Sequence, residues 1–151
     1  MKITRSPTIQ SLILAAGLTI GLGFVSPVSA QVRSYIVDSN GKGLTDLGTL
    51  GGRASAAQGI NDAGRVVGGS EYTVSGLSHA FITGPNGVGL TDLGDLGGGV
   101  SNAYGINDAG QVVGDCYTGA RAWHAFITGP NGIGMTDIGT YSSAALAAGA
   151  H

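Results

Sequence analysis

One internal duplication constrains the fold of this chain more than any other feature of its sequence. Two segments each occur twice, in the same order. The two copies of the first segment are 46 residues apart, and those of the second are 45 residues apart. They are LTDLGTLGGRASAAQGINDAGRVVG at 44–68 with LTDLGDLGGGVSNAYGINDAGQVVG at 90–114, and HAFITGPNG at 79–87 with its copy at 124–132. A fixed period of this length is the signature of a repeat architecture, so one supersecondary unit is built more than once.

Partial copies flank the two complete ones. Residues 33–48 match residues 79–94, and MTDIGT at 135–140 opens another copy before the pattern ends in the Ala-rich tail. The sequence therefore predicts a β-repeat domain of about two and a half units. The predicted segments are a repeat domain at 31–140, with units at about 33–78, 79–122 and a partial 123–140, and a tail at 141–151.

Each unit carries two turn signals between short β-prone runs. In GPNG, proline fixes φ at the first turn position, while asparagine and glycine tolerate the bends that follow. In INDAG, the Asn-Asp pair can bond its own backbone and glycine supplies a positive φ. Four short strands per unit follow. They are predicted near 33–38, 43–47, 56–61 and 65–71 as one set, 79–83, 88–93, 102–107 and 111–117 as a second, and 123–128 with 133–138 as half of a third.

The strand pattern favours sheets that are covered on both faces. In HAFIT, Phe81 points to one side and its two neighbours Ala80 and Ile82 to the other. A sheet packed between two others needs this arrangement, and four strands per 45-residue period is typical of a β-propeller blade. The predicted fold class is all-β, with repeated four-stranded antiparallel units resembling β-propeller blades. Burial is expected at Phe81, Phe126, Ile82, Ile127, Ile60, Ile106, Val67 and Val113, with Tyr35 in the phenylalanine role of the first unit.

A half unit at the end of such an array leaves a sheet edge unpaired. Its backbone groups lack partners, and the apolar face meant for a further unit is uncovered. The strand count therefore predicts that the isolated mature chain self-associates or is only marginally stable.

The first thirty residues have the pattern of a secretory signal peptide. Lys2 and Arg5 precede an apolar run at residues 12–25, and Val28 and Ala30 stand where the signal peptidase requires small residues. A helix is predicted at residues 8–25, with cleavage after Ala30 and export to the periplasm or beyond the cell. The alternative is an uncleaved membrane anchor. Under the first reading, the chain meets the membrane only through its signal peptide.

Composition excludes several partners. Cleavage removes two of the seven basic residues and none of the nine acidic ones, which moves the formal charge from −2 to −4. Nothing in that balance attracts nucleic acid, and there is no polybasic run that would bind an anionic membrane. Cys116 is the only cysteine, so no intrachain disulfide can form, and a buried free thiol is expected.

The motifs HAF, LGTLGG and IN-x-x-G-x-VVG, at this period and in this order, resemble the HAF-type extracellular repeat family of bacteria. The resemblance covers residues 33–140. It implies an exported, repetitive, propeller-like protein with no established enzymatic activity. The family's motifs fall here on His79 and Phe81, on His124 and Phe126, and on Asn61 and Asn107. In the first unit Arg33 replaces the histidine.

Several residues could be read as metal ligands, but the repeat offers a simpler reading of each. A metal shared by His79 and His124 is disfavoured, because Arg33 stands at the same position and a permanent cation opposes metal binding. Asp38, Asn40 and Asp46 lack the spacing of a calcium loop and favour a turn. The recurring aspartates, Asp46, Asp92 and Asp137, are expected to accept backbone hydrogen bonds at strand ends. No catalytic residue, metal site or cofactor is predicted.

The leading interpretation is therefore a structural or interaction module at or outside the cell surface, and not an enzyme. The alternative is a carbohydrate-binding or adhesin-like module that uses the aromatic residues of the connector loops, Tyr72, Tyr117 and Trp123, against a surface glycan or a protein. The other interpretation of these aromatics is that they seal the gap between neighbouring units, and it is the one preferred here.

Mass spectrometry of the secreted protein tests the export prediction. We expect the mature N-terminus at Gln31, in part cyclised, because the small residues before it fit the peptidase. Recovery of Met1 in the secreted product would contradict cleavage after Ala30.

Overall fold

A computed structural model describes residues 31–37, 41–73 and 76–140, together with the backbone of a strand at Gln10–Leu14. In these residues the chain is all-β and contains no α-helix, and none of its helical turns is long and apolar enough to cross a membrane. The strands are β1 (Gln10–Leu14), β2 (Arg33–Val37), β3 (Leu44–Asp46), β4 (Ser55–Ile60), β5 (Val66–Glu71), β6 (Ser78–Thr83), β7 (Leu90–Gly94), β8 (Gly97–Ile106), β9 (Val112–Thr118), β10 (Trp123–Thr128) and β11 (Met135–Thr140).

The described strands form three antiparallel sheets. The N-terminal sheet is β1-β2-β3, the middle sheet is β4-β5-β6-β7 and the C-terminal sheet has the order β8-β9-β10-β11. Within each sheet, strands that follow each other in sequence pair with each other, and tight hairpins join β4 to β5, β6 to β7, β8 to β9 and β10 to β11. The all-β, antiparallel prediction is thereby confirmed.

Both predicted turns close hairpins in both four-stranded sheets. The Asn61 side chain accepts the backbone N–H groups of Ala63 and Arg65 at 3.1 and 3.0 Å, which closes the loop between β4 and β5. In GPNG, Asn86 adopts a left-handed φ of 56° and the Gly84 N–H donates to the Val88 carbonyl at 2.9 Å. These bonds explain why the two turn sequences recur.

The two turns of a sheet also dock on each other. In the middle sheet, the N–H groups of Asn86 and Gly87 donate to the carbonyls of Ala63 and Gly64 at 3.2 and 2.9 Å. The same pair of bonds recurs between the corresponding turns of the C-terminal sheet. Each unit therefore needs both turn sequences together, since the backbone groups of one turn are satisfied by the other.

The middle sheet is covered on both faces, as HAFIT predicts. Phe81 is fully buried against the N-terminal sheet, whereas Ala80 and Ile82 pack against the C-terminal sheet. The cluster between the N-terminal and middle sheets is Ile36, Leu47, Ala57, Val66 and Phe81. The cluster between the middle and C-terminal sheets is Val67, Ala80, Ile82, Ala103, Val112, Cys116 and Phe126.

The predicted grouping of strands into sets is wrong by half a unit. The chain leaves the N-terminal sheet after β3 and, through the LGTLGG segment, enters the middle sheet at β4. β5 therefore pairs with β4 and with β6, and neither β4 nor β5 pairs with β2. The last two strands complete the C-terminal sheet, so the sheet that lacks a full set of repeat strands is the N-terminal one. The break falls at LGTLGG because its paired glycines suit a connection between sheets better than a ladder.

The predicted N-terminal helix is also wrong where it is described. Residues Gln10–Leu14 form β1, which pairs antiparallel with β2 from the pair Gln10 and Val37 to the pair Leu14 and Arg33. Pairing satisfies the backbone groups along an edge of β2 that no repeat strand covers. The rest of the predicted helix lies outside the described residues.

Burial follows the prediction in the interior and departs from it at both ends. Phe81, Phe126, Ile82 and Val67 are buried, which confirms their prediction. Val113 is 45% exposed and Ile127 half-buried, because in the described chain no sheet follows the C-terminal one. Tyr35 is half-buried because, in the described chain, no sheet covers the outer face of the N-terminal one. Ile60 and Ile106 lie at strand ends beside the turns and are also half-buried.

Truncation of Phe81 tests the central position of the middle sheet. Phe81→Ala is expected to lower the free energy of unfolding by about 3–5 kcal/mol, since it leaves a cavity where the ring is fully enclosed. Urea unfolding of the purified chain measures the loss. Val88→Ala, at a site that is 68% exposed, serves as the control and should change stability by less than about 0.5 kcal/mol. If Phe81→Ala lowers the free energy of unfolding no more than Val88→Ala does, Phe81 is not a central core residue.

Candidate functional site

Three pairs of a basic residue with an aspartate occupy equivalent positions in the three sheets, and each pair joins the two corresponding strands. Arg33 Nη1 lies 3.0 Å from Asp46 Oδ2, between β2 and β3. The histidines replace this arginine in the other sheets, with Nδ1 of His79 2.9 Å from Asp92 Oδ2 and Nδ1 of His124 2.7 Å from Asp137 Oδ2. We call these pairs the strand clips. Their recurrence makes the histidine of HAF a structural position.

The aspartate of each clip also closes the start of the loop that follows. Its Oδ1 accepts the backbone N–H two residues further on, at 2.8 Å from Gly48, 2.7 Å from Gly94 and 2.8 Å from Gly139. The prediction that these aspartates accept backbone hydrogen bonds at strand ends is confirmed. The Gly139 N–H and the His124 ring hold the pKa of Asp137 below its ordinary value.

The middle clip has two partners that the other clips lack. The ring of Tyr72 stacks on His79 with centroids 3.9 Å apart, and Asp95 Oδ2 lies 3.2 Å from His79 Nε2, without hydrogen-bond geometry. Thr49 and Thr140 stand where the middle clip has Asp95. His79 therefore lies between two carboxylates, with only 12% of its side chain exposed.

Asp95 is held by its own backbone neighbours as well as by the histidine. It accepts the N–H groups of Gly97 and Gly99, the latter at 3.1 Å. Burial opposes ionisation, but these N–H groups and the nearby His79 outweigh it, so the pKa of Asp95 lies below its ordinary value. The cluster of His79, Asp92 and Asp95 thus braces the start of β8, because Asp95 accepts backbone N–H groups of that strand and also lies beside the His79 ring.

The connector aromatics do not form one surface. Tyr72 spans two sheets, because its hydroxyl donates to the Gly99 carbonyl of β8 at 3.3 Å while its ring covers His79. Tyr72 therefore lies across the gap between the two sheets. Tyr117 and Trp123 instead lie side by side on β9 and β10, with ring centroids 5.4 Å apart and planes tilted by 56°. Trp123 is 42% exposed.

The asparagines of the IN motif connect neighbouring sheets. Asn61 Nδ2 donates to the Asn107 carbonyl at 3.1 Å, and the Asp62 N–H donates to Asp108 Oδ1 at the same distance. Asn107 in turn binds the backbone of Gln111 within its own hairpin. These hydrogen bonds give both asparagines a structural role.

The remaining candidates for special chemistry are structural in the described part of the chain. Cys116 is a free, fully buried thiol in the core, as expected, and burial raises its pKa to about 11. Asp38 and Asn40 lie outside the described residues, while Asp46 is committed to a strand clip. Among the described side chains, no three of His, Cys, Asp or Glu are grouped as metal ligands.

Sequence reasoning missed a cleft between the first strands of the middle and C-terminal sheets. It has a volume of about 450 Å³ and lies beside Gln58 of β4 and Tyr104 of β8. The other lining residues are Val32, Ala54, Ser55, Ala56, Gly69, Glu71, Ser78 and Asn102. One signal could have found it, because two of the few positions at which the repeats differ face this cleft.

Comparisons with known proteins return no match. No model of a protein family matches the chain, and neither the curated proteins nor the solved structures contain a match.

The Asp95 brace predicts how the fold responds to acid. A carboxyl with a folded-state pKa below its unfolded value stabilises the fold above the unfolded pKa, and this contribution is lost as pH falls through the folded pKa. Asp95→Asn should therefore lower the melting temperature at pH 7 and leave it unchanged at pH values well below the folded-state pKa of Asp95. Thermal melts across this range, with Asp62→Asn as the control for loss of one surface charge, measure the difference. If Asp95→Asn lowers the melting temperature equally at every pH, the ionised Asp95 carboxylate does not stabilise the fold.

Proposed function

We propose that this chain is an exported β-repeat module with a structural or interaction function, and that its uncovered sheet faces dock on a second copy of the chain. Each sheet is the equivalent of a β-propeller blade, and the sheets form an open array. The stacking contacts inside the chain support this proposal, since they provide a template for the contact between copies.

The outer face of the C-terminal sheet carries the proposal. We call it the C-terminal face, made of Val113, Ala125, Ile127 and Ile138. Val113 is 45% and Ile138 60% exposed, whereas Val67, the counterpart of Val113 in the middle sheet, is fully buried. Ile82, the counterpart of Ile127, is 3% exposed. Inside the chain, the next sheet covers this surface.

The opposite end of the array presents the complementary surface. The N-terminal face consists of Tyr35, Val37 and Leu44 on β2 and β3. Tyr35 corresponds to Phe81 and Leu44 to Leu90, and both counterparts pack in the core against the preceding sheet. Leu44 is 60% exposed. The C-terminal face of one copy can therefore pack on the N-terminal face of another in the way that two successive sheets pack within the chain.

Contact between the C-terminal face of one copy and the N-terminal face of another is heterologous. A heterologous contact closes into a ring or extends into a filament, depending on the rotation between copies. Apolar side chains exposed at both ends favour burial, because removing such surface from water is the dominant favourable term in association.

The order of the sequence motifs supports membership in the HAF-type extracellular repeat family as part of this proposal. Structural positions in the middle and C-terminal sheets fall on the residues that carry the resemblance, His79 and Phe81 among them. The N-terminal pattern of basic, apolar and small residues supports export. No enzymatic role is proposed, since the clip histidines and aspartates are committed to strand pairing.

The carbohydrate-binding alternative has one observation in its favour. Tyr117 and Trp123 adjoin on the C-terminal sheet, and the half-exposed indole of Trp123 offers a stacking surface. Tyr72 does not contribute to that pair, because it is occupied between the sheets.

Single substitutions on the C-terminal face test the docking proposal. The secreted wild-type chain is expected to form dimers or larger species, and Ile138→Asp is expected to be monomeric, because a buried unpaired charge opposes the contact. Ile133→Asp is the matched control. Ile133 is 74% exposed, and its counterpart Val88 stays 68% exposed although a sheet follows it, so this position lies outside the stacking contact. Light scattering with size-exclusion chromatography measures the mass.

A mixture of variants tests the polarity of the contact. Leu44→Asp blocks the N-terminal face and Ile138→Asp the C-terminal face, so each alone should be monomeric. Mixed together they retain one intact pair of faces and should form a 1:1 dimer that grows no further. A monomeric wild type at high concentration, or a mixture that stays monomeric, would overturn head-to-tail docking.

A further inference from the structure

We propose that the cleft between β4 and β8 binds a neutral saccharide, with Tyr104 as its stacking surface and the amides of Gln58 and Asn102 as its polar contacts. The inference is independent of the docking proposal, because the cleft shares no residue with either end face. It also differs from the connector-loop alternative, since Trp123 and Tyr117 lie outside the cleft lining.

The volume and position of the cleft suit a small ligand. About 450 Å³ falls within the range of roughly 300–1,000 Å³ that ligand sites occupy in proteins. The cleft lies on the first strands of two adjacent sheets, and it therefore opens on one side of the array.

The backbone edge inside the cleft is already satisfied. The Ser55 N–H donates to the Val32 carbonyl at 2.9 Å, and the Ala57 N–H donates to the Ser34 hydroxyl at 2.8 Å. These groups are the ones that an added peptide strand would need along β4. Recognition in the cleft therefore depends on side chains, which disfavours an extended peptide as the occupant.

Two β-bulges direct side chains at the cleft. The register of β4 on β5 shifts between Ala57 and Gly59, which places Gln58 in a bulge, and β8 shifts on β9 between Ala103 and Gly105, which does the same for Tyr104. A bulge re-aims a side chain, and bulges are enriched beside functional sites. The two bulges occupy the same place in the repeat.

The bulged strands come unusually close to their partners. A Cβ on Gly68 would collide with the carbonyl of Ala56, and one on Gly114 would collide with that of Asn102. The glycine that ends each VVG motif is thus required by the close approach beside the bulge.

Tyr104 is fixed in place yet half exposed. Its hydroxyl donates to Asp115 Oδ2 at 3.1 Å, and 44% of the residue remains accessible. Burial and the charge of Asp115 raise the pKa of Tyr104 to about 12, so the phenol stays protonated and keeps this bond. A held aromatic ring with one open face can stack on the apolar face of a sugar.

The polar groups suit hydroxyl recognition. The Ser78 hydroxyl lies 3.2 Å from Asn102 Oδ1 and orients the amide, which leaves its two N–H groups as donors. Gln58 adds an exposed amide, and Glu71 adds a carboxylate that accepts the Arg53 N–H at 3.0 Å. Among the described lining residues there is no lysine or arginine to pair with an acidic sugar, so a neutral saccharide fits best.

Divergence between the repeats gives independent support. Residues 44–68 and 90–114 agree at 19 of 25 positions. Ser55 and Ala57 are kept as Ser101 and Ala103 on the buried side of the strand, whereas Ala56 and Gln58 become Asn102 and Tyr104 on the cleft side. Core packing explains the residues that are kept. The changed pair lies where a ligand site would need residues specific to one unit.

Binding of defined neutral disaccharides to the purified secreted chain tests the proposal. Cellobiose, maltose, lactose and N,N′-diacetylchitobiose are the probes, and saturation-transfer NMR and titration calorimetry are the measurements. We expect saturable binding of at least one probe. The double variant Asn102→Ala with Tyr104→Gln should weaken it about tenfold or more, since it removes the stacking ring and one amide. These substitutions install the residues that β4 carries at the same positions, so the fold should tolerate them.

Three further variants separate the outcomes. Tyr104→Phe keeps the ring and should retain binding, Trp123→Ala should leave affinity unchanged, and Ile138→Asp should bind equally well as a monomer. The saccharide-binding result therefore does not depend on whether copies of the chain dock on each other. The proposal is overturned if no probe binds at millimolar concentration, if the double variant binds as well as wild type, or if Trp123→Ala alone abolishes binding. Binding of extended peptides at the cleft in place of sugars would also overturn it.

Discussion

Packing of apolar side chains from both faces of one sheet holds this structure together. In β6, successive side chains point in opposite directions, so Phe81 fills the space beneath the middle sheet while Ala80 and Ile82 fill the space above it. No disulfide contributes, because the single thiol is buried in that same core. The middle sheet therefore depends on a neighbour at each of its faces, and the uncovered apolar faces of the described array belong to the two sheets that have only one neighbour.

Much of the architecture could be predicted from sequence, because it depends on local patterns. Strand alternation placed Phe81 and Ile82 on opposite faces, and turn chemistry identified both hairpin loops in each unit. The grouping into sheets could not be predicted in the same way. A repeat has no intrinsic starting point, and only the hydrogen bonds between β5 and β6 show that the break falls at LGTLGG. Val113 and Val67 have the same local sequence but different burial, since burial depends on position in the array.

The site was harder to predict than the fold for a physical reason. Gln58 and Tyr104 reach the cleft through bulges, and a bulge is a property of the register between two strands that neither strand reveals alone. The clips were partly accessible, because the recurring aspartates suggested a backbone role that the Gly48, Gly94 and Gly139 contacts confirm. Their basic partners could have been found from the constant separation of 13 residues along the chain.

The three clips also show how a repeat can vary without losing its fold. The basic partner is arginine in the first clip and histidine in the other two. Either residue can donate to the aspartate across the two strands, so the position tolerates a change of residue while the contact persists. At the middle clip, replacement of threonine by Asp95 adds a second carboxylate that also caps the start of β8 through the Gly97 and Gly99 N–H groups. That strand carries Asn102 and Tyr104. One substitution between repeats thus braces the strand on which the cleft depends, while the apolar faces that stack the sheets stay constant.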